Sequence, residues 1–109
     1  MIPMAGGRPM YYRLDDRHRV VPATREEMYV LFDDREARRV AKTQVGEAEV
    51  STVFLVIDHQ FGNGPPLVFE TMVFGAKGEP QWRYSTWDEA VAGHERVVAA
   101  LRAGTELPE

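Results

Sequence analysis

The strand pattern at Glu49–Ile57 constrains the fold more than any other part of this sequence. The segment is rich in β-branched and aromatic residues, and it ends in five consecutive apolar residues, Val53–Ile57. An unbroken apolar run of this kind predicts a central strand that is covered on both faces. A chain of 109 residues forms one domain far more readily than two, so we expect the other elements to surround this strand.

Two further strands are predicted downstream of the central one. Leu67–Phe74 follows the loop Gln60–Pro66, and Gln81–Ser85 follows a turn that contains Gly75, Gly78 and Pro80. Three strands that follow one another through short turns predict an antiparallel meander.

Upstream, the pattern is less decisive. Residues 35–45 fit a continued helix, but they also alternate as a strand that ends at Gly46, and we favour the strand. Met10–Leu14 predicts a short edge strand, which is followed by a polar turn.

Two helices begin with capping-box pairs, in which a threonine precedes a glutamate by three residues. The pairs are Thr24 with Glu27 and Thr86 with Glu89. The first predicts a helix over Arg25–Phe32, and the second a longer helix that stops near Gly104.

The predicted fold class is therefore α+β: an antiparallel meander of about four strands with two helices, the C-terminal helix packed on the sheet. We expect a flexible N-terminal tail over residues 1–10, a single domain over residues 11–104 and a short C-terminal tail over residues 105–109. One sheet face is left without helical cover, and this predicts a homodimer.

The composition excludes several classes of protein. A net charge of -4 argues against generic binding of duplex DNA, which needs an excess of positive charge. The absence of cysteine removes disulfides, thiolate zinc sites and cysteine nucleophiles. No apolar run reaches the roughly 18 residues of a membrane span, and no signal peptide is recognised at the start, so we expect a cytoplasmic protein without membrane contact.

Three residues are candidates for catalysis: His59 at the end of the central strand, Glu70 within an apolar strand, and His94 on the apolar stripe of the last helix. Two imidazoles and a carboxylate in one pocket suit acid–base cleavage of a phosphodiester. Each also has a structural interpretation, because Glu70 could pair with Arg83 and a histidine on an apolar face is often a hydrogen-bonded core residue.

The strand register decides which of these side chains lie on the same face, and the sequence does not determine the register. If the numbers of paired residues add up to an odd value, His59 shares a face with Glu70; if they add up to an even value, Asp58 does. The loop between the two strands is compatible with both registers.

Other residues are candidates for ligand binding around that pocket: Asp58, Arg83, Tyr84, Trp87 and Arg39. The aromatic rings suit stacking on a base, and Arg35, Arg38, Arg39 and Arg83 suit bidentate contacts with phosphate, although most such residues are ordinary core or surface. His59, His94 and Glu70 could form a 2-His-1-carboxylate metal site, but their spacing in the sequence is not typical of metal ligands. No nucleotide-loop or hydrolase motif is present, and we predict neither a metal nor a cofactor.

Three blocks, Val50–His59, Pro66–Gly75 and Arg83–His94, carry a resemblance to a family of small uncharacterised proteins from tailed bacteriophages and prophages. The likeness covers about residues 35–98, and within it Val56 stands where a glycine is expected. The resemblance implies a phage accessory protein that acts in the cytoplasm of the host cell, where such proteins often inhibit defences.

Two functions compete on these grounds. The first is a counter-defence protein that binds a small nucleotide signal and, in its enzymatic form, cleaves the phosphodiester without a metal. The second is a non-enzymatic interaction module that inhibits a host protein through its surface.

Overall fold

The computed structural model describes residues 8–109, and all structural statements concern this part of the chain. The elements are, in chain order, β1 (Tyr12–Leu14), β2 (Val20–Pro22), α1 (Arg25–Asp33), α2 (Arg35–Arg38), β3 (Arg39–Val45), β4 (Ala48–Phe54), β5 (Phe69–Phe74), β6 (Gln81–Tyr84) and α3 (Trp87–Ala103). Strands β3 to β6 form one antiparallel sheet in sequential order, and β1 pairs with β2 in a separate two-stranded sheet.

The predicted α+β fold is confirmed, because the four-stranded sheet is a meander and α3 packs against it. Residues alternate between the two faces along each strand. Val50, Thr52 and Phe54 of β4 lie on the face that α3 covers, whereas Ser51 and Val53 lie on the opposite face. We call these the covered face and the open face of the sheet.

Both capping boxes form as the sequence predicts. The hydroxyls of Thr24 and Thr86 accept hydrogen bonds from the backbone of Glu27 and Glu89, and the glutamates accept bonds from the threonine backbones in return. The last helix ends at Gly104, whose φ of 69° is left-handed and costs glycine little.

Three parts of the chain differ from the sequence-based expectation. Residues 35–45 divide into one helical turn, α2, and the strand β3, so both alternatives are partly right. A second short strand, β2, pairs with β1 and was not predicted. The central strand ends at Phe54 and does not continue to Ile57, because Val56 adopts a left-handed φ of 73° that breaks the alternation.

The core consists of two apolar clusters beneath α3. Phe54, Phe69 and Ala90 belong to the first, together with residues of β1 and α1. Val50, Val73, Val97 and Val98 form the second. Between them lies a buried polar group made of Thr52, Thr71 and His94.

The chain ends beyond the regular elements also make contacts. Of the predicted N-terminal tail, residues 1–7 lie outside the described residues, and the Arg8 side chain forms a 3.0 Å ion pair with Asp58. At the C-terminal end, Leu107 packs on the second cluster, and the Trp82 indole donates to the Pro108 carbonyl at 3.0 Å. Within residues 8–109, no helix is long and apolar enough to cross a membrane.

Candidate functional site

His94 lies at the centre of the polar group under α3. Its Nδ1 is 2.7 Å from the Thr52 hydroxyl, and its Nε2 is 2.9 Å from the Thr43 hydroxyl. Thr52 in turn bonds the Thr71 hydroxyl at 2.5 Å. Both ring nitrogens therefore have partners inside the protein.

The surroundings of His94 favour its neutral form. The residue is 5% exposed, and burial lowers its pKa below the ordinary value of 6.5, against a smaller opposing effect of the Glu95 carboxylate. A general acid or base must reach its substrate. His94, buried and hydrogen-bonded on both sides, has the geometry of a structural residue.

Glu70 lies on the open face, on the other side of the sheet from His94. It neighbours Thr71, which points to the covered face, and strand alternation therefore turns Glu70 away. Its Oε2 accepts a hydrogen bond from Arg83 Nε at 3.0 Å. The shared pocket expected for Glu70 and His94 is therefore not found. Glu70 instead pairs with Arg83, which is its structural interpretation from the sequence.

The observed register is the odd one of the two alternatives, with Val53 opposite Glu70. It does not extend as a regular ladder to His59, because the left-handed Val56 interrupts it. The backbone N–H of His59 donates to the Leu67 carbonyl at 3.0 Å, which places His59 at the start of the loop that leads to β5.

Asp58 stabilises this same loop. Its Oδ1 accepts hydrogen bonds from the backbone N–H groups of Gln60 and Leu67, at 2.7 and 3.0 Å, and its Oδ2 pairs with Arg8. These contacts use both carboxylate oxygens, so Asp58 is engaged by the chain itself.

The two aromatic candidates, Tyr84 and Trp87, are also in contact with the protein. The Tyr84 ring lies against Gly93 of α3, so close that a β-carbon at that position would overlap it. The Trp87 ring stacks on His18 with centroids 3.7 Å apart and meets the edge of Phe69 at 6.3 Å. One face of the Trp87 ring is thus already occupied.

Several predicted binding residues border cavities: Arg83 and Tyr84 border one of about 330 Å³ beside α3, Trp87 borders one beside His18, and Arg39 borders a third, which gathers the most cations. A cleft of about 320 Å³ lies where α2 and β3 meet the open face, and we call it the basic cleft. It is lined by Arg35, Arg38, Arg39, Lys42, Glu49, Ser51 and Val53. Lys42 and Ser51 were not predicted as site residues; they face each other across β3 and β4, a pairing that follows only once the register is known.

The cations of the basic cleft differ in how firmly they are held. Arg38 donates to the carbonyls of Phe54 and Phe32, at 3.4 and 3.2 Å, and its guanidinium lies 5.1 Å from the centroid of the Phe32 ring. Its Nε is buried and has no hydrogen-bond partner among residues 8–109. Arg39 pairs with Glu36 at 3.2 Å and Lys42 with Glu49 at 3.4 Å.

Arg83 does not join this cleft, because β6 and β3 are the two outer strands of the sheet. Within residues 8–109, no three histidine, aspartate or glutamate side chains are grouped so as to hold a metal ion.

Comparison of the chain with protein-family models, curated proteins and solved structures finds no match. The arguments about function therefore depend on the geometry of the chain itself.

Proposed function

We propose that this protein binds a small phosphate-bearing ligand of the nucleotide class in the basic cleft and sequesters it without cleaving it. The observation that carries the proposal is the grouping of Arg35, Arg38, Arg39 and Lys42 around one cavity. Guanidinium groups form bidentate, charge-assisted hydrogen bonds with phosphate oxygens.

The charge of the cleft opposes that of the whole chain. Four cations line or border it, and two carboxylates, Glu36 and Glu49, pair with two of them. The chain as a whole carries a net charge of -4. The local excess of positive charge thus favours a small anion in this cleft over a long nucleic acid along the surface.

The dimensions and the remaining lining narrow the ligand class. A volume of about 320 Å³ is at the low end of the roughly 300–1,000 Å³ of small-molecule sites, which suits a mononucleotide or a small cyclic nucleotide. Ser51 supplies a hydroxyl and Val53 an apolar contact, the two kinds of group that a sugar and a base require.

Sequestration is favoured over catalysis by the positions of the candidate acid–base groups. His94 is buried with both nitrogens bonded, and Glu70 is paired with Arg83. Neither of them lines the basic cleft, and His59 does not line it either. Capture of a nucleotide signal without cleavage is one way to fulfil the counter-defence role that the resemblance to phage proteins implies.

Isothermal titration calorimetry at low salt tests the proposal. The titrants are inorganic phosphate, nucleoside monophosphates and cyclic nucleotides. We expect the double variant Arg35→Ala/Arg39→Ala to weaken binding at least about tenfold, since hydrogen bonds to charged groups contribute roughly 1.5–3 kcal/mol each. Arg83→Ala/Arg96→Ala removes the same charge outside the cleft and should bind as the wild type does.

Mass spectrometry of the ligand released after heating separates sequestration from cleavage. Intact ligand supports the proposal, whereas fragments contradict its non-catalytic part. If none of the phosphate-bearing titrants binds at millimolar concentration, or if the two double variants bind equally, the basic cleft is not the site.

A further inference from the structure

Helix α1 keeps most of its large apolar side chains in solvent. Tyr29, Val30 and Phe32 are 62%, 72% and 46% exposed, and Met28 is the one buried residue of this helix. An amphipathic helix normally turns such residues towards the core. Arg38 covers one side of the Phe32 ring, and the remaining exposed apolar surface of the helix indicates a contact with another molecule.

A groove of about 380 Å³ continues this apolar surface on one side of the helix. Leu14, Val30 and Leu31 contribute its apolar lining, and Glu26 and Glu27 border it together with Arg13. The groove lies beside the side of the helix that carries Tyr29, which does not line it, and we call the exposed side of the helix with Tyr29 the α1 surface.

The charges along α1 identify that partner. Arg25, Tyr29 and Asp33 are spaced i, i+4 and i+8 and so lie on one side of the helix. All three are exposed, and neither Arg25 nor Asp33 forms a salt bridge within residues 8–109. The helix therefore carries a positive charge at one end, a negative charge at the other, and an aromatic ring midway.

A second copy of the same helix complements this arrangement. When two copies of α1 are antiparallel about a two-fold axis at Tyr29, Arg25 of each copy is opposite Asp33 of the other, and the two rings meet at the axis. The antiparallel arrangement also brings opposite ends of the two helix dipoles together. We propose that the chain forms a homodimer through the α1 surface.

The open face of the sheet, where a dimer contact was first expected, is less suited to this role. It carries the ion pairs Lys42–Glu49 and Arg83–Glu70. The groove beside α1 is bordered by one such pair, Arg13–Glu27, so covering the open face would desolvate one more ion pair than covering α1.

Sedimentation velocity over a micromolar concentration series tests the proposal, and matched variants locate the interface. We expect the wild type to dimerise, and Tyr29→Glu, which places a charge at the two-fold axis, to raise the dissociation constant at least about tenfold. Met72→Glu places the same charge on the open face and should leave the dimer unchanged. Circular dichroism confirms that both variants fold.

A charge exchange tests the orientation of the two helices. Arg25→Glu should weaken the dimer, and the double variant Arg25→Glu/Asp33→Arg should restore it, because the two reversed charges face each other again. A wild type that stays monomeric to about 100 μM, a dimer that Met72→Glu disrupts, or a dimer insensitive to both α1 variants would overturn the proposal.

Discussion

The two faces of the sheet differ in burial and in the partners of their polar side chains, although the same strands form both. On β4, the covered face receives Val50, Thr52 and Phe54, all buried, and the open face receives Ser51 and Val53. The polar groups of the covered face bond one another and His94. Those of the open face stay within reach of solvent, and one end of that face opens into the basic cleft.

This difference teaches that the chemistry of a side chain predicts its role less well than the face on which it lies. Histidine is the residue type that most suggests catalysis, yet the position of His94 under α3 engages both of its ring nitrogens. Arg39 has the less distinctive residue type, and it borders a cavity. Four experiments compare the two faces, in order of decreasing expected effect.

The largest effect is expected from His94→Ala on the covered face. The substitution leaves the hydroxyls of Thr43 and Thr52 without their imidazole partner and opens a cavity under α3. We expect a loss of about 3 kcal/mol in the free energy of unfolding, measured by urea denaturation at a fixed protein concentration. His59→Ala, at the start of the loop, is the control and should cost less than about 1 kcal/mol. Equal costs for the two histidines would contradict a structural role for His94.

The contact between α3 and β6 gives the second effect. Gly93→Ala places a methyl group that overlaps the hydroxyl end of the Tyr84 side chain, and we expect a cost of about 2 kcal/mol from the displacement of the ring or the helix. In a Tyr84→Ala background the same substitution should be neutral or stabilising, because alanine is the better helix former. If Gly93→Ala costs the same in both backgrounds, contact with the ring is not the reason for the glycine.

Local sequence signals predicted much of the fold. The two capping pairs located the starts of α1 and α3, because a capping box involves residues only three apart. The meander followed from short connections between apolar segments. Strand β2 was missed because three residues carry too little periodicity to be recognised.

The positions that depend on distant contacts were harder to predict. A β-branched residue disfavours the left-handed φ that Val56 adopts, so the sequence pattern contained no signal that would end the strand at Phe54. The separation of Glu70 from His94 required the register and the face covered by α3. The basic cleft required the boundary between α2 and β3 at Arg39, which the ambiguous pattern of residues 35–45 did not locate.

The third effect is the pH dependence of the free energy of unfolding, which we attribute to His94 on the covered face. Burial lowers the pKa of His94 in the folded state below 6.5, so the unfolded chain binds the proton more readily. The free energy of unfolding should therefore decrease as the pH falls below about 6.5. Urea denaturation between about pH 5 and pH 8 should show a weaker pH dependence for His94→Gln than for the wild type. The same dependence in both proteins would exclude His94 as its source.

The smallest effect is expected on the open face, at the Glu70–Arg83 pair. The side chains are 13% and 33% exposed, so solvent screens the pair in part, and a double-mutant cycle of Glu70→Ala and Arg83→Ala should give a coupling of no more than about 1 kcal/mol. The His94–Thr52 pair, measured by the same urea denaturation with His94→Ala and Thr52→Ala, should couple more strongly because it is buried. A coupling above about 2 kcal/mol for Glu70 and Arg83 would mean that the pair is desolvated in solution. Such a coupling would favour the open face over the α1 surface as the dimer interface.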